Sequence, residues 1–427
     1  MLKLVLPLLL INLLVRATPF ILFMLLGRYS VLSLASGAVS GIVALLTVVL
    51  FGTGFFALNA LVSRAYAHRD TQEIAAWIQQ ASVVAWCFGM VAWGFLWSSP
   101  TWLAWLPLDV SIVHTSAMYL TKLAWLMPFE LVGMALQQSL MGMNQQWAAL
   151  WGTLFGFLCL LLGWWLLHPA LTLSYPHYVN RIVSMQALQV GGALLAFVTI
   201  FIGSKICRPV LYAVLTWPQS WRPAWRIIRY GIPVSLDYTI GTLFGLGLVM
   251  IASKINHEAL AIRQIVNQYS MVIFLLTLAV SQAATIDIAR AVRSVRHYVW
   301  LMLAGMGVLA GVFWIGRHTF VSWYLPHGPQ HLAIVMLELM LVAQVFLSIR
   351  SVLTGALRGK LHMKTPFVVN ACCLFLVVLP LAYLLAIPLH YGLYGLAWGE
   401  IVGLGLNMFL MMGAWWYWER KGFMRIG

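Results

Sequence analysis

The segment CRPVLYAVLTWPQSWRPAWRIIR, residues 207–229, is a basic stretch near the middle of a strongly apolar chain. It carries Arg208, Arg222, Arg226 and Arg229. On both sides of it lie apolar runs of the length that crosses a bilayer, which is about 20 residues. Lysine and arginine collect on cytoplasmic loops of membrane proteins. We therefore interpret residues 207–230 as a cytoplasmic connector between two halves of a membrane protein.

The two halves resemble each other at a fixed offset of 226 positions. Pro7 matches Pro233, Leu34-Ala35 matches Leu260-Ala261, and Arg64-Ala65 matches Arg290-Ala291. An offset kept over many residues indicates an internal duplication. In a membrane protein, such a repeat is typical of a transporter.

Composition leaves little room for a soluble protein, because 63% of the residues are hydrophobic, only 8% are charged and the mean hydropathy is +0.92. A soluble domain carries about 25% charged residues. The formal net charge of +15 is therefore attributed to membrane topology, and no nucleic-acid partner is expected. The five cysteines show no CxxC spacing, so neither a disulfide framework nor a metal site is predicted.

The hydropathy pattern predicts an all-α membrane protein with two pseudo-symmetric six-helix bundles, residues 1–206 and 231–427, the second ending in a cytoplasmic tail. Of the 25 lysines and arginines, most fall on the side of the N-terminus, which predicts that both termini are cytoplasmic. A multi-pass plasma (inner) membrane protein is expected, and a monomer. The twelve predicted spans are 4–26, 35–61, 77–97, 117–140, 147–168, 186–206, 231–253, 260–289, 298–316, 331–355, 366–388 and 395–418.

Several charged and polar residues fall inside these spans, where a charge costs about 2.5–3.5 kcal/mol on insertion scales. One interpretation is a set of structural ion pairs, such as Arg263 with Glu338 or Glu400. The other is a cavity that binds substrate and exchanges a coupling proton. Asp237 and Glu130 are the candidates for the proton. The candidates for the cavity are Arg16, Asn12, Arg263, Gln264, Asn267 and Glu338.

Short motifs resemble those of the MATE (multidrug and toxic compound extrusion) family, part of the MOP flippase superfamily. Gly231-Ile-Pro-Val-Ser235 resembles the family's entry to helix seven. Gly355-Ala-Leu-Arg-Gly359, followed by Thr365-Pro366, resembles its loop after helix ten. Leu34-Ala35 and Leu260-Ala261 resemble its entries to helices two and eight. The resemblance covers nearly the whole chain.

The resemblance implies a twelve-helix antiporter that exports drugs or organic metabolites by alternating access, driven by inward flow of sodium or protons. Leu22 or Phe23, Gly241 and Leu347 stand where many relatives carry acidic residues. The usual sodium site is thus missing its ligands, so a proton is expected as the coupling ion rather than sodium, and no cofactor is expected.

Two other functions compete with that of an exporter. Arg16, Arg263 and Arg350 lie within spans, which would suit a flippase for an anionic lipid-linked precursor without sodium coupling. A membrane enzyme is disfavoured, because the sequence has no HExxH motif and no nucleophile–base pair at usable spacing. Direct use of ATP is disfavoured by the lack of a P-loop.

Overall fold

The computed structural model describes residues 2–105, 109–167, 174–204, 221–324 and 330–423, which are helical apart from short turns. The chain divides into two compact units, Met1–Ser235 and Leu236–Gly427. Most of the connector predicted at 207–230 lies outside the described residues. From Arg222 onward it forms the start of a helix that continues to Ile255, and the division between the units falls inside this helix, just after Pro233.

The helices of the first unit are Leu2–Tyr29 (α1), Val31–Gly52 (α2), Ala57–Ala67 (α3), Thr71–Trp97 (α4), Ser99–Leu103 (α5), Val110–Ala124 (α6), Met127–Gly142 (α7), Gln146–Leu167 (α8) and Tyr175–Gly203 (α9). Arg222–Ile255 (α10) runs from the first unit into the second. The second unit continues with His257–Ala289 (α11), Val295–Tyr324 (α12), Gln330–Gly359 (α13), Lys364–Cys373 (α14), Leu379–Ala386 (α15) and Gly392–Phe423 (α16).

Eleven segments within the described residues are each long and apolar enough to cross a membrane as one helix. The remaining predicted span, 117–140, corresponds to two shorter helices, α6 and α7, which meet at Trp125 and Leu126. Pro128 explains the break, because it has no N–H to donate to the carbonyl of Ala124 and α7 therefore starts anew. The predicted all-helical architecture is confirmed, with one span broken.

Two other predicted spans contain local irregularities. A 3₁₀ turn, Thr53–Phe56, joins α2 to α3. A π-helical turn, Leu374–Val378, joins α14 to α15, and the N–H of Leu379 bonds to the carbonyl of Leu374, five residues earlier. The next residue, Pro380, has no N–H and cannot donate a helical hydrogen bond, so the regular α-helical pattern is interrupted at this point.

The internal repeat is visible in the local structure. Ser30 caps the N-terminus of α2 and Asn256 caps that of α11, at the predicted offset of 226. Asn144, two residues after α7, and Leu361, two residues after α13, both have positive φ, 66° and 65°, here at an offset of 217 positions. The two halves thus begin and end corresponding helices in the same way.

Close helix packing holds each unit together, because burying apolar side chains between helices gains little free energy when the surrounding lipid is itself apolar. In the first unit, a methyl group added to Gly156 of α8 would lie 2.9 Å from the carbonyl oxygen of Gln189 on α9. In the second unit, Leu248, Val378 and Leu404 form part of a buried core that joins α10, the π turn and α16.

Candidate functional site

A buried polar cluster lies in the second unit, around Asp237 of α10. Arg358 at the end of α13 donates from Nη2 to Asp237 Oδ2 at 2.6 Å. Asn370 of α14 donates from Nδ2 to Asp237 Oδ1, also at 2.6 Å. Arg350 donates from Nη1 to Asn370 Oδ1 at 3.0 Å. Arg358 also reaches Tyr238, donating to its hydroxyl at 3.2 Å. We refer to these five residues as the Asp237 cluster.

Glycines place Arg358 in this cluster. A methyl group added to Gly355 would lie 2.7 Å from Ser281 Oγ, and one added to Gly359 would lie 2.8 Å from the carbonyl oxygen of Thr285. The hydroxyl of Thr285 donates to the Gly355 carbonyl at 2.9 Å. The two glycines of the GALRG string therefore allow α13 to pack closely against α11. This contact orients Arg358, which lies between the two glycines, toward α10.

The Asp237 cluster carries two guanidinium groups against one carboxylate. Both oxygens of Asp237 accept short hydrogen bonds, so this carboxylate is fully satisfied within its own unit. Arg350 has no carboxylate within 4.0 Å among the described residues, and its buried Nε has no acceptor there. The cluster therefore has a net positive charge, which buried groups tolerate only when hydrogen bonds or a counter-ion compensate it.

A second ion pair joins α11 to α16. Arg263 Nη1 lies 2.7 Å from Glu400 Oε2, and Nη2 lies 3.4 Å from Oε1. Beside the pair lies a cavity of about 20 Å³, bordered by apolar side chains that include Met336 and Met340. That volume suits one water molecule. Of the two partners considered for Arg263, the structure selects Glu400.

The structure places Glu338 elsewhere. It lies 3.5 Å from Arg317 Nε of α12, and its side chain is 41% exposed. On α11, Gln264 is exposed and Asn267 half-buried. Glu338 is therefore not part of the Arg263–Glu400 pair, and the cavity roles predicted for Gln264 and Asn267 remain predictions.

In the first unit, Glu130 lies in the first turn of α7, directly after the break at Pro128. Its Oε2 atom is buried and has no hydrogen-bond partner among the described residues. On α1, Asn12 is buried and Arg16 half-buried one turn later. The roles predicted for Glu130, Asn12 and Arg16 remain predictions.

Sequence reasoning missed three members of the Asp237 cluster: Arg358, Asn370 and Tyr238. The sequence places Arg358 in the loop after the tenth span, whereas α13 extends through Gly359 and buries it. Asn370 could have been found as an amide inside an otherwise apolar span. Asp287, near the end of α11, lies 3.6 Å from Arg293 Nη1 and accepts a hydrogen bond from the Tyr298 hydroxyl.

The sequence profile of the MatE family matches residues 7–166 and 233–384, on either side of the connector. The chain belongs to the MATE family. Its members are multidrug efflux transporters and not enzymes, which confirms the predicted family and class. A relative in Agrobacterium fabrum, "Probable multidrug resistance protein NorM", is 24% identical over 85% of this chain and 82% of its own length.

Solved structures have the same fold. One described as the outward-facing conformation of a multidrug resistance MATE family transporter of the MOP superfamily matches with a TM-score of 0.85 at 12% identity, covering 100% of this chain and 96% of its own. A MOP superfamily transporter from Pyrococcus furiosus, whose description states that the reverse polarity of its binding pocket suggests a different function, matches with a TM-score of 0.76 at 10% identity. It covers 97% of this chain and 95% of its own. This MATE protein is thus a multi-pass membrane transporter.

Proposed function

We propose that this MATE protein is a proton-coupled exporter of drugs or organic metabolites in the plasma (inner) membrane, with both termini cytoplasmic. The observation that carries the proposal is the contrast between two carboxylates. Asp237 accepts hydrogen bonds at both oxygens, whereas Glu130 has a buried oxygen with no partner among the described residues.

The Asp237 cluster is a poor site for sodium. A hard cation needs several oxygen ligands around it, by analogy with calcium and magnesium. Here the guanidinium of Arg358 lies 2.6 Å from Asp237 Oδ2 and already supplies the positive charge. Gly241 and Leu347, where sodium-type relatives carry acids, provide no side-chain oxygen. Sodium would therefore have to displace an arginine from its own carboxylate.

Glu130 suits proton exchange better. An ionised carboxylate is expensive to bury unless each oxygen has a partner. Protonation would remove the charge from Glu130 and turn its free oxygen into a donor. Because Glu130 follows a broken helix, a small movement of α7 against α6 could change its access to water. Asp237, through its contact with Arg358, would then hold α10 to α13 throughout transport.

The test is uptake of a fluorescent organic cation by proteoliposomes under separate proton and sodium gradients. We expect a proton gradient alone to drive uptake in the wild type, and Glu130→Gln to abolish proton-driven uptake while leaving equilibrium exchange of the dye. The matched control is Glu338→Gln, the same chemical change at an exposed carboxylate. Uptake driven by sodium alone, or an unchanged rate for Glu130→Gln, would refute proton coupling through this residue.

A second candidate function is a flippase for an anionic lipid-linked precursor. It is favoured by Arg350, which has no carboxylate within 4.0 Å among the described residues and lies in a cluster of net positive charge. Arg263 no longer supports this alternative, because Glu400 neutralises it. Accumulation of a lipid-linked intermediate in a deletion strain, rescued by the wild type but not by Arg350→Gln, would favour the flippase over the exporter.

A further inference from the structure

The last two turns of α16 and the loop after α13 form one surface at the end of the second unit. His362 of the loop stacks on the ring of Trp418, with centroids 3.9 Å apart and planes 22° from parallel. Trp418 also donates from Nε1 to the hydroxyl of Thr365 at 3.2 Å. These two contacts hold the loop against the helix, and Lys360 of the loop and Lys421 of the helix lie beside the rings of Trp415 and Trp418, one helical turn apart.

The charges on this surface are nearly all positive. Lys360 and Lys364 come from the loop and the start of α14, and Arg420 and Lys421 from the last turn of α16. The acidic residue within this stretch of α16 is Glu419, which is exposed. None of the four cations has a carboxylate within 4.0 Å among the residues that the structure describes. No carboxylate among the described residues therefore pairs with these four cations.

Aromatic rings hold the cations in place. Lys360 Nζ lies 4.3 Å from the ring centre of Trp415, Arg420 Cζ lies 3.5 Å from that of Trp416, and Lys421 Nζ lies 4.7 Å from that of Tyr417. Trp416 and Tyr417 are themselves 56% and 51% exposed. Exposed tryptophan and tyrosine next to lysine and arginine are typical of the level of the lipid head groups.

We propose that Lys360, Lys364, Trp416, Tyr417, Arg420 and Lys421, the basic aromatic surface, form a binding site for the head group of an anionic phospholipid. The cations bind the phosphate and the remaining negative charge of the head group, while the indole and phenol rings contact the glycerol and upper acyl region. Because each Lys or Arg near an anionic membrane surface contributes about 1 kcal/mol, or about fivefold in affinity, four of them suffice for selection against zwitterionic lipid.

The test measures binding of fluorescent phosphatidylglycerol to the purified full-length protein in detergent, with phosphatidylcholine as the zwitterionic comparison. Lys364→Gln with Arg420→Gln removes two exposed charges and is expected to weaken phosphatidylglycerol binding about 30-fold, with phosphatidylcholine binding unchanged. The matched control, Arg64→Gln with Arg296→Gln, removes two exposed arginines from the end of α3 and the start of α12 and is expected to bind like the wild type.

Trp418 tests whether the loop must be fastened to the helix. Trp418→Leu leaves every charge in place but removes the stack and the hydrogen bond, so we expect weaker phosphatidylglycerol binding. Trp418→Phe, which keeps an aromatic ring for His362, should restore part of it.

Three results would overturn the proposal. The first is binding by the Lys364→Gln, Arg420→Gln variant within twofold of the wild type. The second is equal affinity of the wild type for the two lipids. The third is displacement of phosphatidylglycerol by inorganic phosphate at a similar concentration, which would mean that the surface recognises free phosphate rather than lipid. Because none of these measurements involves transport, they stand apart from the test of proton coupling.

Discussion

The sharpest prediction concerns Asp237→Asn. The side chains of Asp237 and Arg358 are 7% and 8% exposed and joined at 2.6 Å, so the substitution leaves Arg358 buried without a carboxylate. Removing one partner of a buried ion pair costs about 3–5 kcal/mol. This destabilisation agrees with the loss of the two charge-assisted hydrogen bonds that Asp237 accepts, each of which contributes about 1.5–3 kcal/mol. For a unit of this size the unfolding midpoint should fall by on the order of 10 °C.

The assay is thermal unfolding of the purified protein in detergent, followed by loss of the monodisperse peak in size-exclusion chromatography. Glu338→Gln is the matched control, because its partner Arg317 is 3.5 Å away and its side chain is 41% exposed. An exposed pair of that kind contributes about 0–1 kcal/mol.

A further variant separates charge from packing. Replacing both partners by apolar residues, Asp237→Leu with Arg358→Met, should recover most of the stability, because a buried pair exchanged for apolar side chains of similar volume is often neutral. Equal losses for Asp237→Asn and Glu338→Gln, or a double variant less stable than Asp237→Asn, would show that the Asp237 pair does not hold the second unit together.

Three other outcomes can be measured by thermal unfolding of the same preparation. Gly355→Ala should destabilise by about 1–3 kcal/mol through collision with Ser281, while Gly241→Ala, with no atom within 4 Å of the added methyl group, should be neutral or stabilising by up to about 1 kcal/mol. Asn256→Ala removes the cap that accepts from Ala259 N at 2.6 Å and should cost about 0.5–2 kcal/mol, with Asn256→Ser close to wild type. Burial and a neighbouring lysine lower the pKa of His362 below its usual range, so the folded state binds this proton less tightly than the unfolded state. Stability should be complete above about pH 6.5 and decline as the pH falls below it, and His362→Gln should flatten that decline.

The sequence predicted the helical architecture well because spans and repeats are properties of the chain itself. Apolar length gives the spans, and a fixed offset reveals the duplication without any contact information. Proline positions were informative too, since Pro128 marks the place where a span breaks into α6 and α7. The break itself was not predicted, because hydropathy is averaged over a window of residues and does not detect the absence of one backbone hydrogen-bond donor.

The candidate site was predicted only in part. Asp237 stood out because a carboxylate within a span needs a partner, but its partners come from α13 and α14, more than a hundred positions further along the chain. Arg358 looked like a loop residue because charge at a span's end is ordinary in a sequence. It is the close packing of α13 against α11 that buries it.

The sequence by itself thus determined the class of protein, the number of spans, the repeat and the family, because these depend on local apolar length and on motifs that lie close together in the chain. Only the tertiary structure decided which charges meet. It paired Asp237 with Arg358 and Arg263 with Glu400, and it left Glu130 with a buried oxygen that has no partner among the described residues. The reason is physical. A charge within a membrane needs an opposite charge or a hydrogen-bond partner within about 3 Å. Helix packing decides which side chains come that close, and their spacing along the chain does not reveal it.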